Sequence, residues 1–168
     1  GVLLMDMISD AEGFPAPRLN DVTMSAEQAR DFHGRLIADV VKMLCAGLIH
    51  GDLSEFNVLV SASGPVIIDL PQAVNASGNN SAAAMLLRDV ENMANYFGRF
   101  APELRRTEFG REIWSLYEKG QLRPDSSLTG RFEGTLQTAD VDEVLRIIAH
   151  AREEAEQEIE RRRAALED

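Results

Sequence analysis

The sequence predicts an α+β fold, mainly helical, with one small β-hairpin. Three observations carry this. Phe32, Leu36, Val40, Leu44 and Leu48 recur every four residues, with Ile37 and Val41 beside them, which is the buried face of one long helix. Two short apolar runs, 57–60 and 66–69, flank Ser61-Ala62-Ser63-Gly64, and such a polar, glycine-containing link between apolar runs reads as a hairpin. Two more helix-length segments follow, from about Ser81 to Phe100 and from about Thr107 to Lys119.

Each element has its own local reason. Residues 2–8 are short and apolar, and read as a strand leading into a hinge. Residues 9–23 hold Gly13, Pro15, Pro17 and Asn20, and read as a loop. The first helix should start near Thr23 or Ser25, because Ser25 with Gln28 makes a capping-box pattern. Gly47 marks its end. Residues 75–81 are rich in Asn, Ser and Gly, a loop before the second helix, and Pro102 follows soon after that helix stops. Gly120 closes the third. Residues 121–139 contain Pro124, Gly130 and Gly134 and read as an irregular connection. A last helix is expected from Ala139 or Asp140 to near the end, apolar through Val141, Val144, Leu145, Ile148 and Ala151, then mostly charged. It carries 10 acidic and 5 basic residues from position 140 onward, much of the net charge.

Bulk properties bound the function. The 168 residues are enough for a compact domain with a real core. A net charge of −11 disfavours nonspecific binding to nucleic acid or anionic membranes through net charge. The single Cys45 allows no internal disulfide and fits a reducing cytoplasm; a small buried role is expected of it. No apolar run approaches the ~20 residues of a membrane span, and no signal peptide is visible. His33 and His150 have no acidic or Cys partner at ligand spacing and read as ordinary helix residues. Arg161-Arg162-Arg163, with Glu neighbours four residues away, reads as a solvated helix end.

The chemistry concentrates in His50-Gly51-Asp52-Leu53-Ser54-Glu55-Phe56-Asn57, followed by Ile67-Ile68-Asp69. Asp52 and Asn57 are five apart on a loop, and Asp69 lies twelve residues beyond Asn57 at a strand end. In-line phosphoryl transfer needs a carboxylate to orient the attacking hydroxyl, and oxygen ligands to hold magnesium on the phosphates. Asp52 can serve as that base, with Asn57 and Asp69 as the metal ligands. His50 reads as a support for the loop and the metal-binding segment. Ser54 and Glu55 read equally as phosphate contacts or loop braces. Asp89 reads as a buried capping or loop-bracing residue.

The stretch H-G-D-L-S-E-F-N, then Ile68-Asp69-Leu70-Pro71-Gln72, resembles the RIO family of atypical protein kinases, whose loop reads H-G-D-L-S-E-x-N and whose metal loop reads I-D-x-P-Q. Met85-Leu86-Leu87-Arg88-Asp89-Val90-Glu91-Asn92 and Tyr96-Phe97-Gly98-Arg99-Phe100 look like the family's next helix, Val2–Ile8 like its hinge strand, and Pro15-Ala16-Pro17-Arg18-Leu19 like the segment after the hinge. The resemblance covers roughly residues 1–120. Gly51 stands where conventional kinases have the arginine of H-R-D, which reads a phosphorylated activation loop, so that switch should be absent. Ser54 replaces a lysine, Leu70-Pro71 replaces Phe-Gly, and no Ala-Pro-Glu follows.

The resemblance implies a protein-kinase-like C-terminal lobe: hinge strand 1–8, catalytic core 9–120, connection 121–139 and acidic helix 140–168. The start at Gly1, directly on an apolar strand, reads as a piece of a longer chain whose N-terminal lobe is missing. This piece alone is therefore expected to be inactive. The resemblance further implies ATP with Mg²⁺ or Mn²⁺, transfer to serine on a protein substrate, and autophosphorylation. It sets Met5 beside the adenine, the backbone of Asp6 and Ile8 against its edge, and Pro17 in the same pocket. Two alternatives stand: a small-molecule phosphotransferase of the aminoglycoside or choline kinase type, and an ATPase acting as a conformational switch.

Overall fold

The computed structural model describes residues 6–136 together with Arg146 and His150. Val2–Met5 of the expected hinge strand lie outside the described residues. So does the expected C-terminal helix, apart from Arg146 and His150, both helical and exposed. Gly1–Gly134 make one compact unit and Thr135–Asp168 another, and the candidate site lies wholly in the first.

Among the described residues the fold is α+β, with three α-helices and two two-stranded antiparallel sheets. Helix α1 spans Ala26–Cys45. Its cap is the one the sequence predicts: the Ser25 side chain accepts the Gln28 N–H at 3.1 Å, satisfying one of the donors a helix start leaves open. Its inner face buries Phe32, Leu36, Ile37, Val40, Val41 and Leu44. The expected stripe runs one residue too far. Gly47 takes a left-handed φ of 82°, the chain leaves the helix, and Leu48 turns outward with 42% of its surface exposed. Cys45, expected to be buried, is exposed, because Val41 and Leu44 already occupy the inward positions of the last turn.

Strand β1 (Leu48–Ile49) pairs with β4 (Val74–Asn75), a contact too short to be seen as periodicity. Strands β2 (Val58–Ser61) and β3 (Gly64–Ile67) form the predicted hairpin, with Ser61 opposite Gly64 and Val58 opposite Ile67. The turn is tied to α1: the Arg35 guanidinium donates to the Ser63 carbonyl at 2.6 Å. Gly64 sits at φ 125°, where a Cβ would lie 2.5 Å from the same guanidinium, so glycine serves both the backbone and the close approach.

Residues 6–8 have no regular structure, and the chain then doubles back in a loop in which Ser9 bridges Pro15. This segment lines the free edge of β2, where the Val60 N–H donates to the Pro17 carbonyl at 2.8 Å and the Ala62 N–H to the Ser9 carbonyl at 3.0 Å.

Helix α2 spans Ala82–Phe97 and α3 spans Phe109–Glu118, each shorter than expected by one to three residues per end. The three helices enclose the core around Leu86, Met93, Phe97 and Ile113, all essentially solvent-free. His33 is a helix residue, as expected, but a buried one. It meets the rings of Phe97 and Phe109 at 5.8 and 5.7 Å. Burial lowers its pKa to about 4, since an apolar environment disfavours the charged ring. Residues 121–136 carry no regular structure, as expected. They are pinned by Glu112, whose carboxylate accepts the N–H groups of Thr129 and Gly130, both at 2.8 Å.

Candidate active site

The loop 50–57 leaves β1 and enters β2, and α2 holds its main chain from behind. Gly51 takes φ 86°, a left-handed conformation that favours glycine. Its N–H donates to the Asp89 carboxylate at 2.7 Å, and the Leu53 N–H donates to the other carboxylate oxygen at 2.9 Å. One helical turn supplies the rest of the grip: Arg88 donates to the Gly51 carbonyl, and the Asn92 amide to the Leu53 carbonyl at 3.0 Å. Asp89 is 1% exposed. Burial pushes its carboxyl upward, while the two backbone N–H groups hold it down. Three neighbouring residues of α2 thus bracket the main chain on both sides of Asp52, whose side chain is left exposed.

His50 joins this loop to the hairpin. Its Nε2 lies 2.8 Å from the Ile68 carbonyl, and its Nδ1 accepts the Asp52 N–H at 3.2 Å. Both bonds are satisfied at once by the neutral ring with its proton on Nε2. The ring is buried, and its two nitrogens are occupied by main-chain groups.

Asn57 closes the loop. Its side-chain amide donates to the Asp52 carbonyl at 2.8 Å, which leaves its carbonyl oxygen as the free acceptor. Its own main-chain carbonyl accepts the Ile68 N–H at 2.9 Å, extending the hairpin ladder by one bond. Asp69 follows at φ 66° and ψ 48°, the one non-glycine residue with positive φ among the described residues. A left-handed Asp is a tolerated but uncommon conformation, of the kind that clusters at functional sites. The 3₁₀ turn Leu70–Gln72 starts on it, with Pro71 in the first turn. Asp69 is exposed and Asn57 half-buried.

Asn57 and Asp69 offer the oxygen donors a hard divalent cation takes, one amide oxygen and one exposed carboxylate. No group of three or more His, Cys, Asp or Glu gathers among the described residues, so a metal here depends on Asn57 or on a ligand's own oxygens. Ser54 Oγ accepts the Phe56 N–H at 3.4 Å, and the Glu55 carbonyl accepts the Asn20 N–H at 3.2 Å. Of the residues expected near an adenine, Met5 lies outside the described residues. Asp6 and Pro17 are exposed and Ile8 is half-buried, its carbonyl accepting the Ala16 N–H at 2.9 Å. Arg88 and Asn92 were not singled out from the sequence. The signal was their place beside Asp89 in one helical turn.

A family model described as the RIO domain matches residues 1–109. This chain belongs to the RIO family. It is 44% identical over 78 residues to the RIO-type serine/threonine-protein kinase Rio2 of Methanocaldococcus jannaschii, a match covering 46% of this chain and 28% of that protein. It is 38% identical over 100 residues to the Rio1 kinase of the same organism, covering 58% of this chain and 33% of that one. It is also 36% identical over 99 residues to serine/threonine-protein kinase RIO1 of Homo sapiens, covering 58% and 17%. The chain therefore spans a third or less of the length of these relatives. Among the described residues no helix is long and apolar enough to cross a membrane.

Proposed function

We propose that this chain is the C-terminal lobe of a RIO-type kinase that transfers the γ-phosphoryl group of ATP to serine on a protein. The observation that carries the reading is the junction made by His50, which ties the loop bearing Asp52 and Asn57 to the strand end bearing Asp69. The family match and the relatives' names as serine/threonine-protein kinases support it.

When bound, ATP with Mg²⁺ or Mn²⁺ would supply the phosphoryl group and neutralise its charge. Asn57, through its amide oxygen, and Asp69, through its carboxylate, would hold the cation. Asp52 orients the serine hydroxyl and takes its proton as the serine oxygen bonds to phosphorus and the bond to the ADP oxygen breaks. Ser54 and Glu55 line the acceptor side of the loop. The Ile8 carbonyl is already engaged, which leaves its N–H as the group to meet a base edge. In this reading the lobe takes in a hinge segment (1–8), a catalytic core (9–120), a connection (121–139) and an acidic C-terminal segment (140–168). Its partner is an N-terminal lobe carrying a phosphate-covering loop and a strand lysine.

The full-length protein incubated with γ-labelled ATP and Mg²⁺ tests this. Label is expected on serine of a protein, the enzyme included. Label on a small alcohol, or released wholly as inorganic phosphate, would replace this reading with a small-molecule phosphotransferase or an ATPase switch.

A further inference from the structure

A pocket of about 340 Å³ opens beside the loop that bears Asp52, lined by Ser54, Glu55, Asn92, Asn95, Tyr96 and Arg99. Two of its polar groups are already committed. The Tyr96 hydroxyl donates to the Leu19 carbonyl at 2.6 Å, and the Asn92 amide N–H₂ donates to the Leu53 carbonyl. That bond leaves the Asn92 amide carbonyl oxygen, an acceptor, beside the pocket. Glu55 adds a half-buried carboxylate, a second acceptor. The Arg99 guanidinium, also lining the pocket, rests over the Tyr96 ring, 5.7 Å from its centroid, and offers donors. Glu55 and Arg99 border one pocket, yet neither takes part in the salt bridges found among the described residues.

An unpaired acceptor and an unpaired donor facing one space select a ligand by its polarity. A cationic side chain would meet Arg99 and an anionic one would meet Glu55. A neutral group that carries both an N–H and a C=O satisfies both walls, and the commonest such group is the peptide unit. Ser54 and Glu55 follow Asp52 by two and three residues, so a chain lying here touches the loop that bears the base.

We infer that this pocket receives the main chain of the acceptor polypeptide beside the serine to be phosphorylated, with Arg99 and Asn95 as its donors and Glu55 and Asn92 as its acceptors. The inference rests on the proposed transfer to protein, and makes acceptor choice tolerant of side-chain charge.

The test is steady-state kinetics of the full-length protein on two generic acceptors of opposite charge, dephosphorylated casein and myelin basic protein. Arg99→Ala and Asn95→Ala should each raise the KM for both acceptors about tenfold, as loss of one hydrogen bond to a charged or amide group does, with kcat and the KM for ATP held. If either alanine variant melts early, Arg99→Lys, which keeps a donor, is compared with Arg99→Gln at matched melting temperature, and the lysine variant should stay nearer wild type on both acceptors. An unmoved KM on both acceptors overturns the pocket while leaving the kinase reading intact. A change confined to casein also overturns it, since Arg99 would then read acidic side chains. A wild-type protein that turns over ATP while labelling neither acceptor nor itself overturns the kinase reading and the pocket with it.

Discussion

The buried carboxylate of Asp89 accepts the main-chain N–H of Gly51 at 2.7 Å, across 38 residues of sequence. A residue of α2 thereby secures the left-handed turn that presents Asp52. The carboxylate's other oxygen takes the Leu53 N–H, so the residues on both sides of Asp52 are held by one side chain.

Removing that acceptor should be costly. Asp89→Ala leaves two buried N–H groups unpaired, at about 1–3 kcal/mol each. Asp89→Asn keeps the shape but turns one acceptor into a donor that faces an N–H. Denaturant unfolding should rank wild type above Asn above Ala, and phosphoryl transfer should fall in the same order. Equal stability of all three would remove Asp89 from its bracing role.

Asp52→Asn should abolish phosphoryl transfer in the full-length protein while sparing nucleotide binding. A base that orients the acceptor acts mainly in the transition state, so the loss falls on kcat, by at least ~100-fold. Near-normal kcat would sink the assignment.

Asp69→Asn should behave otherwise. It takes a charged oxygen from a hard cation, so metal-dependent nucleotide affinity should drop and excess Mg²⁺ or Mn²⁺ should restore part of the activity. Asn also tolerates the left-handed backbone at this position, which separates loss of charge from loss of conformation. A metal titration identical to wild type would exclude Asp69 as a ligand.

His33 should make stability fall with acid. Its pKa is about 4 in the fold, lowered by burial, against an ordinary 6.5. The unfolded chain then binds the proton more readily. The stability is fully present above pH 6.5 and is lost as pH falls from 6.5 toward 4, by about 3 kcal/mol over the whole window. Denaturant unfolding at pH 7, 5.5 and 4 should show this loss, and His33→Leu should flatten it. A slope unchanged in the variant would assign the acid sensitivity to other groups.

What was legible in the sequence was local. The Ser25 cap, the β2–β3 turn and the spacing of Asp52, Asn57 and Asp69 are each written within a few residues of where they act. The brace was legible in part, because Asp89 stood out as a buried polar residue in an apolar helix. Arg88 and Asn92 did not, since they bind main-chain carbonyls 37 and 39 residues away, and a main-chain partner leaves no mark on the sequence. Leu48 was misread because apolar spacing continued past Gly47, where the backbone turns out of the helix, and Cys45 because Val41 and Leu44 already fill the inward positions of the last turn. The burial of His33 was hidden because its ring contacts come from α2 and from α3.

The hairpin bears on how freely this stretch of chain can vary. Asn57 and Asp69 are set relative to each other by the ladder: Val58 stands opposite Ile67, and the Ile68 N–H reaches the Asn57 carbonyl. Their separation in space is a property of the strand pairing at the base, not of the eleven residues between them. A tip that grew or shrank by pairs of residues would ride at the far end and leave the two proposed oxygen ligands where they are. The count that makes this motif recognisable on paper is thus its most negotiable part. The fixed quantity is the pairing register, which no spacing rule records.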